Sequence, residues 1–306
     1  MSESGRQGVM QGGRKISAEE VEQIRETVEL LPALAVNELA ATICEHLEWY
    51  TAGGGLKVDA CLKLLNELEA EGLLELTERQ RARRRKSFTH NEQIVISGRT
   101  DPECRIEGTV GALEEVRLEV ADEPEEKKLW NEYVQRYHPL GYKKPFGYRL
   151  RYFISCREGR LGCLLFSGAA RALGARDSWI GWSEQQRLRN LAWVINLSRH
   201  LIFPWVAVKN LSSHVLGKVA RGIADEWQQR WGYRPALMET FVDPRYREGS
   251  SYKAAGWQHL GMTTGKGLVR EGESYHTSPK KIFVKPLVKE FRRLLCSEQL
   301  MGRVQQ

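Results

Sequence analysis

Apolar residues in the first quarter of the chain return every three or four positions, the spacing of one helix face. Val21, Ile24, Val28 and Leu31 share such a face, and Ser17 with Glu20 forms the capping box that opens it. Val36, Leu39, Ile43 and Leu47 mark a second helix, which the run YTAGGGLK cannot continue. Cys61, Leu62, Leu65 and Leu68 mark a third, stopped at Gly72, after which LLELTER has the shape of a strand. Three short helices and a strand are the parts of a winged helix-turn-helix, so residues 17–90 are predicted to be an all-α, winged-helix-like module. The polar, Gly-rich residues 1–16 read as a mobile tail.

Beyond residue 90 the apolar period shortens. QIVIS, CRIEGTV and VRLEVAD are short strands of a connector spanning 91–124, closed by the acidic DEPEEKK. An amphipathic helix near WNEYVQRY then opens a second domain, 125–306. YRLRYFISC and RLGCLLFSG form a hairpin whose turn is Arg157, Glu158 and Gly159. SEQQRLRNLAWVINL reads as a helix, and HLIFPWVAV as a strand apolar on both faces. HVLGKVARGIADEWQQRWG reads as a long helix that Gly232 ends. ALMETFVD, WQHLGMT and KIFVKPL are strands, SYKAAG is a helical turn, and VKEFRRLLC closes the series. This order predicts an α/β (α+β) protein: the helical module first, then a mixed α/β domain.

Charge changes the picture at one place. Lys+Arg 46 against Asp+Glu 39 leave a formal +7, and the run RQRARRRK places Arg79, Arg81, Arg83, Arg84, Arg85 and Lys86 together. With Lys57 and Lys63 of the third helix they form a candidate DNA contact, although a charge run is as often a solvated face. Asp59, Glu67, Glu69 and Glu71 on that same helix favour backbone recognition over base reading. The polar start carries no signal-peptide apolar core, and the most apolar run is interrupted by Asn196, Arg199, His200 and Pro204. Six cysteines with no CxxC pair read as reduced thiols. A cytoplasmic protein without a membrane partner is expected.

Candidate chemistry gathers in the second domain. Arg176 and Asp177 lie in GARDSWIGW, and Glu239 and Asp243, four apart in METFVD, share one strand face. Asp177, Glu239 and Asp243 would suit a divalent metal, the alternative being plain structural caps. His214 beside Ser213 offers a base and a hydroxyl, Asn196 and Arg199 further polar groups, and Tyr252 an acid or a core ring against Trp257. LGMTTGKG fails as a P-loop because Leu260 replaces the first glycine and Gly267 the Ser or Thr. His90 and Glu92 lack the PCxxC of zinc deaminases, and no HExxH is present.

The central and C-terminal order resembles the GNAT (N-acetyltransferase) fold, in which a loop ahead of the long helix meets an acyl carrier's pyrophosphate and a Tyr protonates the departing thiolate. The resemblance implies acyl-coenzyme A as donor, Lys209, Ser212 and Ser213 at the pyrophosphate, and Tyr252 of YKAAGWQHLG as the acid. KNLSSHVLGK departs from it by lacking the close-set glycines of such a loop. HPLGY, LRY, LGCLLFSGAA, RDSWIGW, RLRNLAWVINLSRHLIFPWV, NLSSHVL and ETFVD are similar to the DUF4338 family. Its best-known members are A components of the Druantia anti-phage defence system, and similar domains occur beside transposase genes. The resemblance implies a DNA-engaging defence component with helicase-like or other operon partners, or a transposase. A catalytically silent DNA-binding adaptor and a metal-dependent nuclease are the other readings. Where the family shows a second Asn after Asn196, this chain has Leu197.

Overall fold

The computed structural model describes residues 9–51, 54–81, 94–265 and 278–298. The chain divides into two compact units, one of residues 1–91 with 145–148, the other of 92–144 with 149–306.

The first unit begins with a hairpin, β1 (Val9–Gln11) against β2 (Arg14–Ile16). Residues 9–16 are therefore paired rather than a loose tail, and the unit is not all-α. Ile16 is fully buried, and the Arg14 guanidinium donates to the Leu47 carbonyl and pairs with Glu20, which fixes the hairpin. The Ser17–Glu20 capping box opens α1 (Ala18–Leu30). α2 (Val36–His46) and α3 (Val58–Ala70) bury the expected faces, with Leu64 inside where Leu62 was expected. LLELTER does alternate, Leu74 and Leu76 pointing inward, but forms no strand. The Leu76 N–H donates to the Glu69 carboxylate and the Thr77 N–H to Gln80 Oε1, leaving neither for a ladder. The chain turns at once into α4 (Glu78–Arg81). Gln80 anchors it, fully buried, with Nε2 donating to the carbonyls of Val28 and Leu31 at 3.0 and 3.1 Å.

The second unit is built on a seven-stranded sheet. In chain order it contains β3 (Ile106–Thr109), β4 (Arg117–Val120), α5 (Pro124–Tyr137), β5 (Leu150–Cys156) and β6 (Gly159–Gly168). Then come α6 (Gly174–Ile180), α7 (Glu184–Asn190), β7 (Val194–Ile202), β8 (Val206–Lys209) and α8 (Leu211–Trp231). β9 (Leu237–Val242), α9 (Ser250–Ala254), β10 (Gln258–Met262), β11 (Lys281–Pro286) and α10 (Phe291–Leu295) complete it. The sheet order is β10-β11-β9-β7-β6-β5-β4, antiparallel except for β7 with β9. The fold is mixed α/β.

Two boundaries differ from expectation. β4 is an edge strand of the main sheet, paired with β5, so the 91–124 segment is not a mere connector, and the described part of QIVIS forms no strand. AWVINL, read as helix, contains the start of β7, because α7 stops at Asn190 and the β-branched Val194 and Ile195 enter the sheet fully buried. Gly232, at φ 78°, ends α8 as expected.

The pairing of β7 fixes where a site can lie. Against β6 its register shifts between Arg199 and Leu197, so Ser198 is an extra, bulged residue. Against β9 it pairs over three residues, ending at Asn196 with Glu239. Past that point β7 follows β6 and β9 follows β11, and the sheet forks. The Phe203 N–H bonds to the Leu161 carbonyl, which marks Arg199 and Leu201, on the same side of the bulge, as the β7 positions bonded to β6. The backbone groups of His200 and Ile202 therefore face the fork. All six cysteines are free thiols, and among the described residues no helix is long and apolar enough to cross a membrane.

Candidate active site at the sheet fork

The acids singled out by sequence are engaged by arginines. Arg176 on α6 is fully buried, and its Nη1 donates to Glu239 Oε2 at 2.7 Å and to the Ala170 carbonyl at 2.8 Å. Its Nε donates to Asp177 Oδ1 at 2.9 Å, and Nη2 lies 2.8 Å from the same oxygen at an angle too poor for a hydrogen bond. Glu239 Oε1 accepts the Ala170 N–H, and Asp177 accepts the Leu173 N–H and the Trp182 indole N–H. Burial works against the Arg176 charge, and the two carboxylates outweigh it, so its pKa is raised. This cluster staples α6 and the end of β6 to β9.

Asp243, just past β9, is held separately. Arg245 chelates it through Nε and Nη2, and the Arg245 N–H and Ser278 hydroxyl add to this, so its carboxyl titrates well below the usual range. A metal site of Asp177, Glu239 and Asp243 is thereby overturned: among the described residues no group of three His, Cys, Asp or Glu could hold a metal ion. The carboxylate oxygens already carry arginine and amide donors.

His214 does not form the base–hydroxyl pair that its neighbour Ser213 suggested. It is exposed on α8, and Ser213 Oγ instead donates to the Asn210 carbonyl at 3.1 Å. Partial burial, then Lys218 and Arg221, lower the His214 pKa. Lys209 is exposed at the end of β8. Arg199 donates through Nε to the Gly141 carbonyl and through Nη1 to the Ser198 carbonyl, and Asn196 keeps a buried Oδ1 with no hydrogen-bond partner. Leu197, in the place of the family's second Asn, is a core side chain.

The chemistry that the structure does bring together surrounds His200, which the sequence analysis marked only as a break in an apolar run. Its Nδ1 lies 3.2 Å from the Tyr252 hydroxyl and its Nε2 3.2 Å from Ser212 Oγ. β7 supplies the imidazole, α9 the phenol and the first turn of α8 the serine, all beside the fork. Tyr252 is locked by rings: it stacks on Phe283 at 5.4 Å, meets Trp257 edge-on at 5.4 Å, and meets His200 edge-on at 5.8 Å. Gly249 makes that stack possible, since a Cβ there would come within 2.6 Å of the Phe283 ring, and its φ is +81°. Burial raises the Tyr252 pKa to about 12, a contact with Thr240 and the Arg247 charge pulling the other way. Burial, then Arg247 and His138, bring the His200 pKa down to about 4. Near neutral pH the three groups form an uncharged hydroxyl–imidazole–hydroxyl chain, the arrangement of a proton relay.

In the first unit, Arg79 and Lys63 are exposed, Lys57 Nζ donates to the Gly12 carbonyl at 2.8 Å, and Arg81 pairs with Glu69 at 2.8 Å. Arg83, Arg84, Arg85 and Lys86 lie outside the described residues.

Fold and site define a mixed α/β protein with a forked central sheet and a hydroxyl–imidazole–hydroxyl chain at the fork. The profile of the Druantia protein DruA family matches residues 67–272, and the chain belongs to that family. No curated protein matches it. Similar solved structures include an acetyltransferase of Bacillus subtilis in complex with CoA, at 9% identity over 57% of this chain and 100% of that one, TM-score 0.32. Another is FeeM, an N-acyl amino acid synthase from uncultured soil microbes, at 11% identity over 56% of this chain and 92% of that one, TM-score 0.34.

Proposed function

We propose that this chain is an anti-phage defence component of the Druantia type that engages DNA through its first unit and transfers a group, from an acyl carrier, at the fork of its second. The family match supports the defence role, and the Ser212–His200–Tyr252 chain carries the reading of transfer chemistry. A fork edge toward which the His200 and Ile202 backbone groups point suits an extended, amide-bearing arm, which would complete the ladder that β9 leaves unfinished. Such an arm is what the GNAT resemblance implies in acyl-coenzyme A. If it binds, acetyl-coenzyme A is expected to raise the melting temperature, by the equivalent of about 2.7 kcal/mol at a hundredfold excess over Kd. An unchanged melting temperature would remove the acyl carrier from this reading.

DNA engagement is assigned to the run opening at α4. Of its six cations Arg81 is already paired with Glu69, and the exposed positions of α3 and its C-cap include Glu67 and Glu71, so contact with phosphates fits better than base reading. If the other five cations each meet a phosphate, log K for duplex DNA falls with log salt at a slope of about −4.5. A filter-binding titration measures it. A flat line, or one unchanged when Arg83, Arg84 and Arg85 become alanine, would refute the contact.

A further inference from the structure

We propose that Ser212 is a nucleophile that becomes covalently acylated during the reaction, with His200 receiving its proton. This rests on the transfer reading above and adds to it the atom that carries the group between donor and acceptor.

The argument begins with where the protons sit. A neutral imidazole has one N–H, so one of the two flanking hydroxyls must accept from it and the other must donate. The step takes the tautomer in which His200 Nδ1 donates to the Tyr252 hydroxyl, 3.2 Å away. That places the proton of His200 on Nδ1 and leaves Nε2 as a bare lone pair 3.2 Å from Ser212 Oγ. Tyr252 is a positioning residue here, since it fixes the tautomer. The ring stack on Phe283 fixes Tyr252 in turn.

The backbone around Ser212 is suited to the same step. β8 passes into α8 through a single residue, Asn210, held in the left-handed region at φ 65°. This sharp turn sets Ser212 in the first turn of the helix, half-buried and so still open to a ligand. The first backbone bond of that turn is from the His214 N–H to the Asn210 carbonyl, so the N–H groups of Leu211, Ser212 and Ser213 have no partner within the helix. They can receive the oxygen of a carbonyl under attack.

In the first step Ser212 Oγ attacks the carbonyl carbon of an acyl thioester, and its proton passes to His200 Nε2. The tetrahedral species collapses with breaking of the C–S bond, and the departing thiolate takes the proton from Nε2. In the second step an acceptor hydroxyl or amine attacks the Ser212 ester, gives its proton to Nε2, and Ser212 Oγ leaves with that proton. No redox change occurs, and His200 ends as it began. Burial, then Arg247 and His138, disfavour a standing imidazolium, so the proton is passed on rather than held.

The test uses the full chain with p-nitrophenyl acetate as an acyl probe, following nitrophenolate release and mapping acetyl groups by peptide mass spectrometry. The expected result is a burst of one nitrophenolate per chain with the acetyl group on Ser212. Ser212→Ala should lose both burst and adduct, and His200→Gln should slow the burst by about a hundredfold. Tyr252→Phe, which keeps the ring stack, should slow it too, and this covers the case in which His200→Gln does not fold. A folded wild-type chain without acetyl on Ser212, or with an adduct forming equally fast in both variants, overturns the proposal. The melting-temperature shift with acetyl-coenzyme A separates the two levels. A shift without a Ser212 adduct leaves the carrier reading standing and removes the covalent step, whereas loss of both removes both.

Discussion

Arg176→Ala is expected to destabilise the second unit by about 3–5 kcal/mol, enough to deplete the folded protein. Arg176 and Glu239 are both fully buried, so removing the guanidinium strands a carboxylate with no route to water. Glu239 would keep one donor, the Ala170 N–H, while Asp177 would keep two, from Leu173 and Trp182. Glu239→Ala should be comparably severe, because it strands the cation instead. Removing both charges in Arg176→Met with Glu239→Met should recover much of the loss, since an apolar pair of similar volume avoids the desolvation cost altogether. Equilibrium unfolding in urea of the four proteins forms a double-mutant cycle. Singles within about 1 kcal/mol of wild type would mean that the ion cluster is solvated in solution and that its acids are open to other partners.

His200→Ala in an intact operon is expected to lower phage protection by about a hundredfold or more if proton transfer at the fork limits the activity. Tyr252→Phe should lower it less, because the ring remains and only the tautomer is released. Both variants are compared at matched protein abundance. Protection that survives both changes would reduce the relay to a packing feature. The pH dependence has a defined sign. His200 titrates near 4 in the fold, below its ordinary 6.5, so it stays an acceptor in mildly acidic solution and the acid limb of activity falls near pH 4. As pH drops from 6.5 toward 4, the unfolded chain takes up the proton first, and stability declines across that window. His138, also held near 4 by burial and by Arg199, contributes in the same direction.

What the sequence made legible was local. The Ser17–Glu20 box, the apolar faces of α2 and α3, the termination of α8 at Gly232 and the placing of Tyr252 beside Trp257 all depend on residues a few positions apart. What it hid was distant in the chain. His200 meets Ser212 and Tyr252 from 12 and 52 residues away, and nothing in their spacing announces it. The surroundings also mislead, since AWVINL looks helical and the bulge at Ser198 breaks the alternation that marks a strand face. The acids failed as metal ligands for a similar reason. Their spacing on β9 was visible, but Arg176, 63 residues from Glu239, is brought between Glu239 and Asp177 by the fold alone. In the first unit LLELTER had the right alternation and no neighbour to pair with, because side chains had taken its amides.

The three-residue pairing of β7 with β9 has a mechanical meaning. The β10-β11-β9 leaf and the β7-β6-β5-β4 leaf share very little hydrogen-bonded seam, so the sheet is free to flex there as two plates on a common edge. Two fasteners sit at the end of that seam: the Glu239–Arg176 pair at its last residue and the Thr240 hydroxyl on the Leu197 carbonyl one step beyond. His200 rides on one plate, whereas Tyr252 is stacked through Phe283 on the other. Any opening of the seam lengthens the contact between them, so the rigidity of the buried ion cluster sets how well the relay keeps its register.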